Sequence, residues 1–220
     1  MNDVEAVLFD FDGTLIDSAD IISHCFNGAL EGRGYPAAES HRIRSMIGRP
    51  LREMFAAFVA EATEGEVEML VVAYRSVFRK IDVSLVQLLP GVEAVVGRLS
   101  ERFKVAVVTS RTASGTIRIL KQHQLQSHFE TIVGIEHVRH GKPDPEPVRL
   151  ALARLGVEPE RALMVGDTVH DIEAAAGAGV AAVGVTTGPH TGQQLLEAGA
   201  LHVIDGLGEL EAILATGQPL

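Results

Sequence analysis

Four acidic side chains follow two apolar runs at spacings that would suit a divalent cation. Asp10 and Asp12 follow the run at residues 4–9, and Asp167 and Asp171 follow a second run. Two carboxylates at a spacing of two point to the same side while the chain stays extended. Such a pair beside a buried strand is costly unless a cation holds it, and Mg²⁺ prefers oxygen ligands. The pattern indicates a magnesium site, with a solvated acidic turn as the alternative.

A hydroxyl pair and a lysine stand at two further strand ends. Thr109 and Ser110 close the apolar run that begins at Lys104, and Lys142 lies in a proline-bounded loop after the run at 131–135. Hydroxyls and free N–H groups at a strand end can bind phosphate oxygens, and an ammonium neutralises phosphate charge. The alternatives are a helix cap and a surface lysine. Because all four segments follow predicted strands, together they favour an active site that handles phosphate.

Strands and helices alternate along most of the chain. Helical segments are predicted at 92–101, 114–122, 147–155 and 171–178, between apolar runs. This alternation predicts a doubly wound parallel sheet with helices on both faces, an α/β fold. Ligands bind such sheets at the carboxyl ends of the strands, where all four motifs fall. The predicted strands lie at 4–9, 104–109, 131–135, 162–166 and 181–186.

One segment breaks this alternation. Residues 16–85 show helical periodicity and no convincing strand, and Pro90-Gly91 marks the return to the α/β pattern. We therefore predict a core domain made of residues 1–15 and 86–220, interrupted by an all-helical domain at 16–85.

Composition limits the partners. The 220 residues carry a formal net charge of −10, so bulk electrostatics disfavour nucleic acid and anionic membrane. The single cysteine, Cys25, cannot form an internal disulfide, which fits a reducing cytoplasm. No stretch is long and apolar enough to span a bilayer. We expect a small-molecule substrate and a protein that acts as a monomer or a homodimer.

These residues resemble the haloacid dehalogenase-like hydrolase superfamily. The segment Asp10-Phe11-Asp12-Gly13-Thr14-Leu15 looks like its first motif, Thr109 and Lys142 match its second and third, and Gly166-Asp167 with Asp171 matches its fourth. The insertion after the first motif resembles the family's small helical cap. Four segments look most like those of bacterial phosphoglycolate phosphatases and related pyrophosphatases: residues 15–18, 47–51, 89–91 and 142–145.

The resemblance implies a role for each motif residue. Asp10 is the nucleophile, and Asp12 protonates the leaving oxygen and later activates water. Mg²⁺ is held by Asp10, by the backbone carbonyl of Asp12 and by Asp167, with Asp171 as a supporting or alternative ligand. Because Asp12 must carry a proton in the first step, we expect its carboxylate neighbours to raise its pKa.

The second and third motifs are implied to hold the substrate. Thr109 binds the transferring phosphoryl group with Lys142 beside it, and Ser110 assists. Ser110-Arg111 departs from the family pattern, because relatives often carry Asn-Lys there.

An arginine-rich stretch of the insertion is a candidate for binding the rest of the substrate. Five arginines and one acid lie between residues 33 and 52. Arginine suits a carboxylate or a second phosphate, although solvated surface charge is the alternative for each one. We expect Arg49, between Gly48 and Pro50, to face the active site.

The sequence thus predicts a Mg²⁺-dependent phosphatase that hydrolyses a phosphoglycolate-like monoester through an aspartyl-phosphate. Two other enzymatic functions stay open, an inorganic pyrophosphatase and a β-phosphoglucomutase-like phosphotransferase. A catalytically silent phosphate-binding regulator is the non-enzymatic alternative.

Overall fold

The computed structural model describes residues 4–216, so the predicted core segments extend beyond it at both ends. Its strands in chain order are β1 (Ala6–Phe9), β2 (Ile16–Asp17), β3 (Gln87–Leu88), β4 (Lys104–Val108), β5 (Thr131–Val133), β6 (Ala162–Gly166), β7 (Ala181–Val185) and β8 (His202–Ile204). Its α-helices are α1 (Ala19–Glu31), α2 (Ser40–Arg44), α3 (Leu51–Phe58), α4 (Glu64–Arg79), α5 (Val92–Ser100), α6 (Ala113–Gln122), α7 (Glu146–Leu155), α8 (Val169–Ala178), α9 (Gly192–Glu197) and α10 (Leu210–Thr216).

Six strands form one parallel sheet in the order β5-β4-β1-β6-β7-β8. Every residue of β1 and β6 is buried, as expected for central strands that helices cover on both faces. The strand order reverses between β1 and β6, because the chain moves outward through β4 and β5 before it returns to β6. Ligands of open α/β sheets bind at such a switch point, beyond the carboxyl ends of the strands.

Helices α1–α4 lie between the two strands of a separate antiparallel ribbon. Strand β2 pairs with β3, so the segments of chain that enter and leave the four helices lie side by side. Aromatic side chains hold the helices together: Phe26 stacks on Phe55 with ring centroids 4.1 Å apart, and Phe58 packs edge-on against Phe26 at 5.0 Å. A capping box between Thr63 and Glu66 begins α4.

The predicted α/β fold is confirmed, with a difference of one or two residues at many element ends. Several elements were not predicted: the strands β2 and β3, the edge strand β8 and the short helices α9 and α10. Ile16 and Asp17 form a strand instead of the start of a helical segment, because two residues are too few to show a periodicity. Within residues 4–216, no helix is long and apolar enough to cross a membrane.

Candidate active site

Three of the four motifs meet around one buried lysine at the carboxyl edge of the sheet. The Nζ atom of Lys142 lies 2.7 Å from Oδ1 of Asp10 and 2.5 Å from Oδ1 of Asp171. It also donates to the backbone carbonyl of Val108, at the end of β4, at 3.0 Å. One ammonium therefore joins β1, β4 and the first turn of α8, although these segments are far apart in sequence.

The electrostatics of Lys142 follow from its two carboxylate partners. Burial alone would lower the pKa of its ammonium, but Asp10 and Asp171 raise that pKa above its ordinary value. Lys142 is therefore a permanent cation beside Asp10. It can offset the repulsion between a carboxylate and an incoming phosphate dianion.

Three buried carboxylates, those of Asp10, Asp167 and Asp171, form a cluster whose ligand atoms lie within 4.8 Å of one another. Burial and the neighbouring Asp171 raise the pKa of Asp10 to about 7, against the lowering effect of Lys142. Burial and the charges of Asp10 and Asp171 likewise raise the pKa of Asp167 well above its ordinary value. Such a cluster carries more negative charge than one lysine can balance, so a cation would stabilise it.

The surroundings of Asp167 fit that cation. Its Oδ1 accepts a hydrogen bond from Thr14 at 2.8 Å, but its Oδ2 is buried without a hydrogen-bond partner. Two glycines leave space beside that oxygen: a Cβ added at Gly13 would lie 2.4 Å from Oδ2, and one at Gly188 would lie 1.8 Å away. An unpartnered carboxylate oxygen in a cradle kept free of side chains suits a hard cation such as Mg²⁺.

Asp171 supports the cluster from the start of α8. Both of its carboxylate oxygens are engaged, Oδ1 by Lys142 and Oδ2 by the hydroxyl (2.6 Å) and backbone N–H (3.0 Å) of Thr168. Thr168 and Asp171 form the capping box of α8. This arrangement favours a supporting position for Asp171, whereas Asp167 keeps an oxygen free.

Asp12 lies outside this cluster and faces Arg111. Its carboxylate accepts from Nη2 of Arg111 at 2.6 Å, from Nε at 3.0 Å and from the Ser18 hydroxyl at 2.5 Å. Burial alone would raise the pKa of Asp12, but Arg111 and Ser18 more than offset burial, so that pKa lies below its ordinary value. The expectation of a raised pKa at Asp12 is therefore wrong for this structure, because its dominant neighbour is a cation.

Thr109 and Ser110 follow β4, and they differ in what they contact. The hydroxyl oxygen of Thr109 accepts from the backbone N–H of Arg111 at 3.1 Å, and its own N–H extends the β4–β5 pairing to Val133. The hydroxyl of Ser110 donates to the carbonyl of Gly48, in the helical insertion, at 3.1 Å. Ser110 thus links the sheet to the insertion in this structure.

A cavity of about 540 Å³ opens between the sheet edge and the insertion. Asp10, Asp12 and Thr109 line it from the sheet side, and α3 and α4 line it from the other. Of the three clustered carboxylates and Lys142, only Asp10 lines this cavity. A substrate in the cavity would therefore contact Asp10, and Lys142 lies 2.7 Å from that carboxylate.

Of the five insertion arginines singled out in the sequence, only Arg49 lines the cavity. Arg44 pairs with Asp20, and Arg52 lies 3.6 Å from Glu64. Arg42 lies over the ring of Phe58. The predicted patch as a whole therefore does not face the site, because most of these side chains have partners on the surface of the insertion.

Sequence reasoning missed several residues that shape the site. A Thr-x-x-Asp signature marked the capping box of Thr168 and could have been recognised as such. Arg111 was noted only as a departure from a family pattern, and its ion pair with Asp12 joins residues 99 apart in sequence. No local signal could have placed Thr14 or Gly188 beside Asp167.

Comparisons with known proteins agree with this geometry. Residues 7–185 match the model of a family described as haloacid dehalogenase-like hydrolase. The chain is 36% identical over 208 residues to the "probable phosphatase IndB" of Dickeya dadantii, covering 93% of this chain and 90% of that one. It is 35% identical over 183 residues to the pyrophosphatase PpaX of Bacillus velezensis, covering 83% of each.

A solved haloacid dehalogenase-like hydrolase from Bacteroides fragilis superposes with a TM-score of 0.89 at 31% identity, over 94% of this chain and 99% of that one. The chain belongs to the haloacid dehalogenase-like hydrolase family, as its motifs predicted.

Proposed function

We propose that this chain is a Mg²⁺-dependent phosphatase that hydrolyses a small-molecule phosphate monoester through an aspartyl-phosphate on Asp10. The observation that carries the proposal is the position of Asp10, the one carboxylate of the buried cluster that also lines the cavity. The names of the similar phosphatase and pyrophosphatase support hydrolysis of a phosphoric ester or anhydride.

The proposed first step is attack by a carboxylate oxygen of Asp10 on phosphorus, which breaks the bond between phosphorus and the leaving oxygen. Thr109 would hold the transferring phosphoryl group, and Lys142 would offset its charge beside Asp10. Asp10 and Asp167 would hold Mg²⁺ with the backbone carbonyl of Asp12, and Asp171 would support them. When bound, the ion neutralises phosphoryl charge and lets a carboxylate approach a dianion.

Asp12 is proposed to move protons in both steps. As a carboxylate it can accept a proton from the water that attacks the phosphorus of the aspartyl-phosphate, which releases inorganic phosphate and regenerates Asp10. Protonation of the leaving oxygen by Asp12 requires that substrate binding draw Arg111 away from it, because this ion pair favours the ionised form.

The helical segment 16–85 is proposed to act as a cap over a core made of 1–15 and 86–220. The β2–β3 ribbon lies where the chain enters and leaves the segment, and Ser110 and Gly48 connect the two parts. A cap of this kind would exclude water and contact the leaving group, and the presence of Arg49 in the cavity lining supports a part for it in that contact. We further propose that the protein works in the cytoplasm as a monomer or homodimer and binds no nucleic acid.

Phosphate release from 4-nitrophenyl phosphate tests the proposal. We expect turnover with MgCl₂, none after chelation with EDTA, and a loss of about 10⁴-fold or more in Asp10→Asn. Asp20→Asn, which changes an exposed carboxylate away from the cavity, is the matched control and should keep full activity. Full activity in Asp10→Asn would refute the nucleophile, and turnover unaffected by EDTA would refute the metal.

A further inference from the structure

The cavity beside Asp10 has apolar walls, and this deepens the proposed function by indicating the leaving group. Its volume of about 540 Å³ is in the range of pockets that hold drug-sized organic ligands. A phosphate ion or a glycolate would leave most of that volume unfilled. Most of the apolar residues that line it belong to the insertion: Ile22, Ile47, Leu51, Met54, Val72 and Phe78.

Helix α4 presents one mixed face to this cavity. Val72, Arg75 and Arg79 stand three and four residues apart, a spacing that places side chains on one side of a helix. Phe78, also on α4, is buried, and the Arg111 guanidinium lies 4.6 Å from its ring centroid. The part of the cavity that α4 lines is therefore apolar with two exposed guanidinium groups.

The arginines around the cavity differ in the groups that their guanidinium nitrogens contact. Arg111 is paired with Asp12, and Arg118 donates to the carbonyl of Arg79 at 3.1 Å. Within residues 4–215, no carboxylate lies within ion-pairing distance of Arg75 or Arg79. Nε of Arg79 donates to the carbonyl of Arg75 at 3.2 Å, but neither guanidinium has a carboxylate partner among these residues. Two such groups beside an apolar wall can bind an anion that is carried on an apolar body.

Resting on the proposed function, we propose that the substrate is a phosphate monoester whose leaving group is an apolar, ring-sized organic body with a second anionic group. The phosphate lies at Asp10, the ring packs against the apolar wall around Val72, and the remote anion pairs with Arg75 and Arg79. Neither pyrophosphate nor phosphoglycolate has an apolar body to place there.

A matched series of alkyl phosphates tests the apolar part of the proposed leaving-group site, because the leaving groups of all its members are similar alkoxides. We expect kcat/KM for 2-phenylethyl phosphate to exceed that for ethyl phosphate by about 30-fold. Val72→Asn should reduce this ratio, whereas Met69→Asn, an exposed change on α4 away from the cavity, should not. Equal kcat/KM values for the two esters would overturn the proposal.

The remote anion is tested with 2-(4-carboxyphenyl)ethyl phosphate. We expect the carboxylate to raise kcat/KM by about 10-fold, and Arg75→Gln with Arg79→Gln to abolish this gain. Arg33→Gln, which changes an exposed cap arginine away from the cavity, should keep it. A carboxylate without effect would overturn this part.

Binding separates a failure of this inference from a failure of the proposed function. The corresponding alkylphosphonates cannot be hydrolysed, so calorimetry with MgCl₂ measures their affinity without turnover. Tighter binding of 3-phenylpropylphosphonate than of propylphosphonate, with no phosphate released from any ester, would support the leaving-group site and refute the phosphatase. Equal binding of the two phosphonates would refute the leaving-group site whether or not the esters are hydrolysed.

Discussion

Asp10 and Asp12 are two residues apart, and the structure gives them opposite electrostatic surroundings. Asp10 lies among carboxylates beside Lys142, and its pKa is raised to about 7. Asp12 lies against Arg111 and Ser18, and its pKa is lowered. Two carboxylates with pKa values pushed apart can take different chemical parts. In the metal-free protein these shifts oppose the proposed parts, because a raised pKa keeps a proton on the proposed nucleophile Asp10 and a lowered pKa ionises the proposed acid Asp12. Arg111 is the cation that lowers the pKa of Asp12 against the effect of burial, whereas burial and Asp171 raise the pKa of Asp10.

Arg111→Gln should therefore change the pH dependence of turnover. Removing a cation beside Asp12 raises the pKa of that carboxyl, so its protonated form persists to higher pH. With an alkyl phosphate, whose leaving oxygen needs a proton, we expect the descending alkaline limb of the kcat/KM profile to move to higher pH.

Arg111→Lys, which keeps a positive charge, serves as the control and should shift the limb less. Identical alkaline limbs in the wild type and Arg111→Gln would contradict a role for protonated Asp12 in the first step.

At this scale the sequence predicted the residue types but not their pairings. Asp10, Lys142, Asp167 and Asp171 could be found because each follows a recognisable strand. The Arg111–Asp12 pair could not, because a side chain's partner depends on packing between segments 99 residues apart.

Two loops at the carboxyl edge act together on Asp167. Gly13 has φ 84°, a left-handed conformation that favours glycine, and the Thr187 hydroxyl donates to the Gly13 carbonyl at 2.5 Å. Gly188 follows in the same loop after β7, against Oδ2 of Asp167. The loops that follow β1 and β7 therefore enclose the unpartnered oxygen. Residues 186–191 of the β7 loop carry no carboxylate, lysine or arginine, and His190 is their one titratable side chain, so no pattern in the sequence indicated that this loop lies at the site.

Gly188→Ala should disturb this cradle. Its Cβ would lie 1.8 Å from Oδ2 of Asp167, so the carboxylate or the loop must move. We expect the Mg²⁺ concentration for half-maximal activity to rise by about 10-fold or more, with a lower Tm.

Gly97→Ala in α5 is the matched control, since no heavy atom lies within 4 Å of the added Cβ. It should leave the Mg²⁺ requirement unchanged and stabilise the protein by about 0.5–1 kcal/mol. An unchanged Mg²⁺ requirement in Gly188→Ala would show that Asp167 does not hold the ion.

The whole molecule concentrates buried negative charge at one edge of its sheet, and this links stability to pH and metal. Folding raises the pKa of Asp10 from 3.8 to about 7, so between these values the folded state binds more protons than the unfolded state. That contribution to stability is complete below pH 3.8 and is lost as pH rises through about 7. The fold that supports this edge was predictable, because its buried strands are long apolar runs, whereas β8 and the β2–β3 ribbon are too short to show a pattern.

The Tm of the metal-free protein should therefore fall as the pH rises from 5 to 8. MgCl₂ should raise the Tm more at pH 8 than at pH 5, because the ion and the protons compete for the same carboxylates.

Asp167→Asn tests the part that the carboxylate cluster plays in the response to metal. It removes one buried charge and keeps an oxygen to accept from Thr14, so it should be more stable than the wild type at pH 8 without metal and respond little to MgCl₂. A wild-type response to MgCl₂ that is equal at both pH values would contradict this account.

The central claim is that Asp10 becomes covalently phosphorylated, and rapid quenching with a ³²P-labelled ester tests it most directly. We predict that label appears on the protein within the first turnover in MgCl₂, is released by neutral hydroxylamine as an acyl phosphate, and maps to the peptide that contains Asp10. Asp10→Asn should remain unlabelled. Release of phosphate by the wild type without labelled protein at any time point, or label on another residue, would contradict the account.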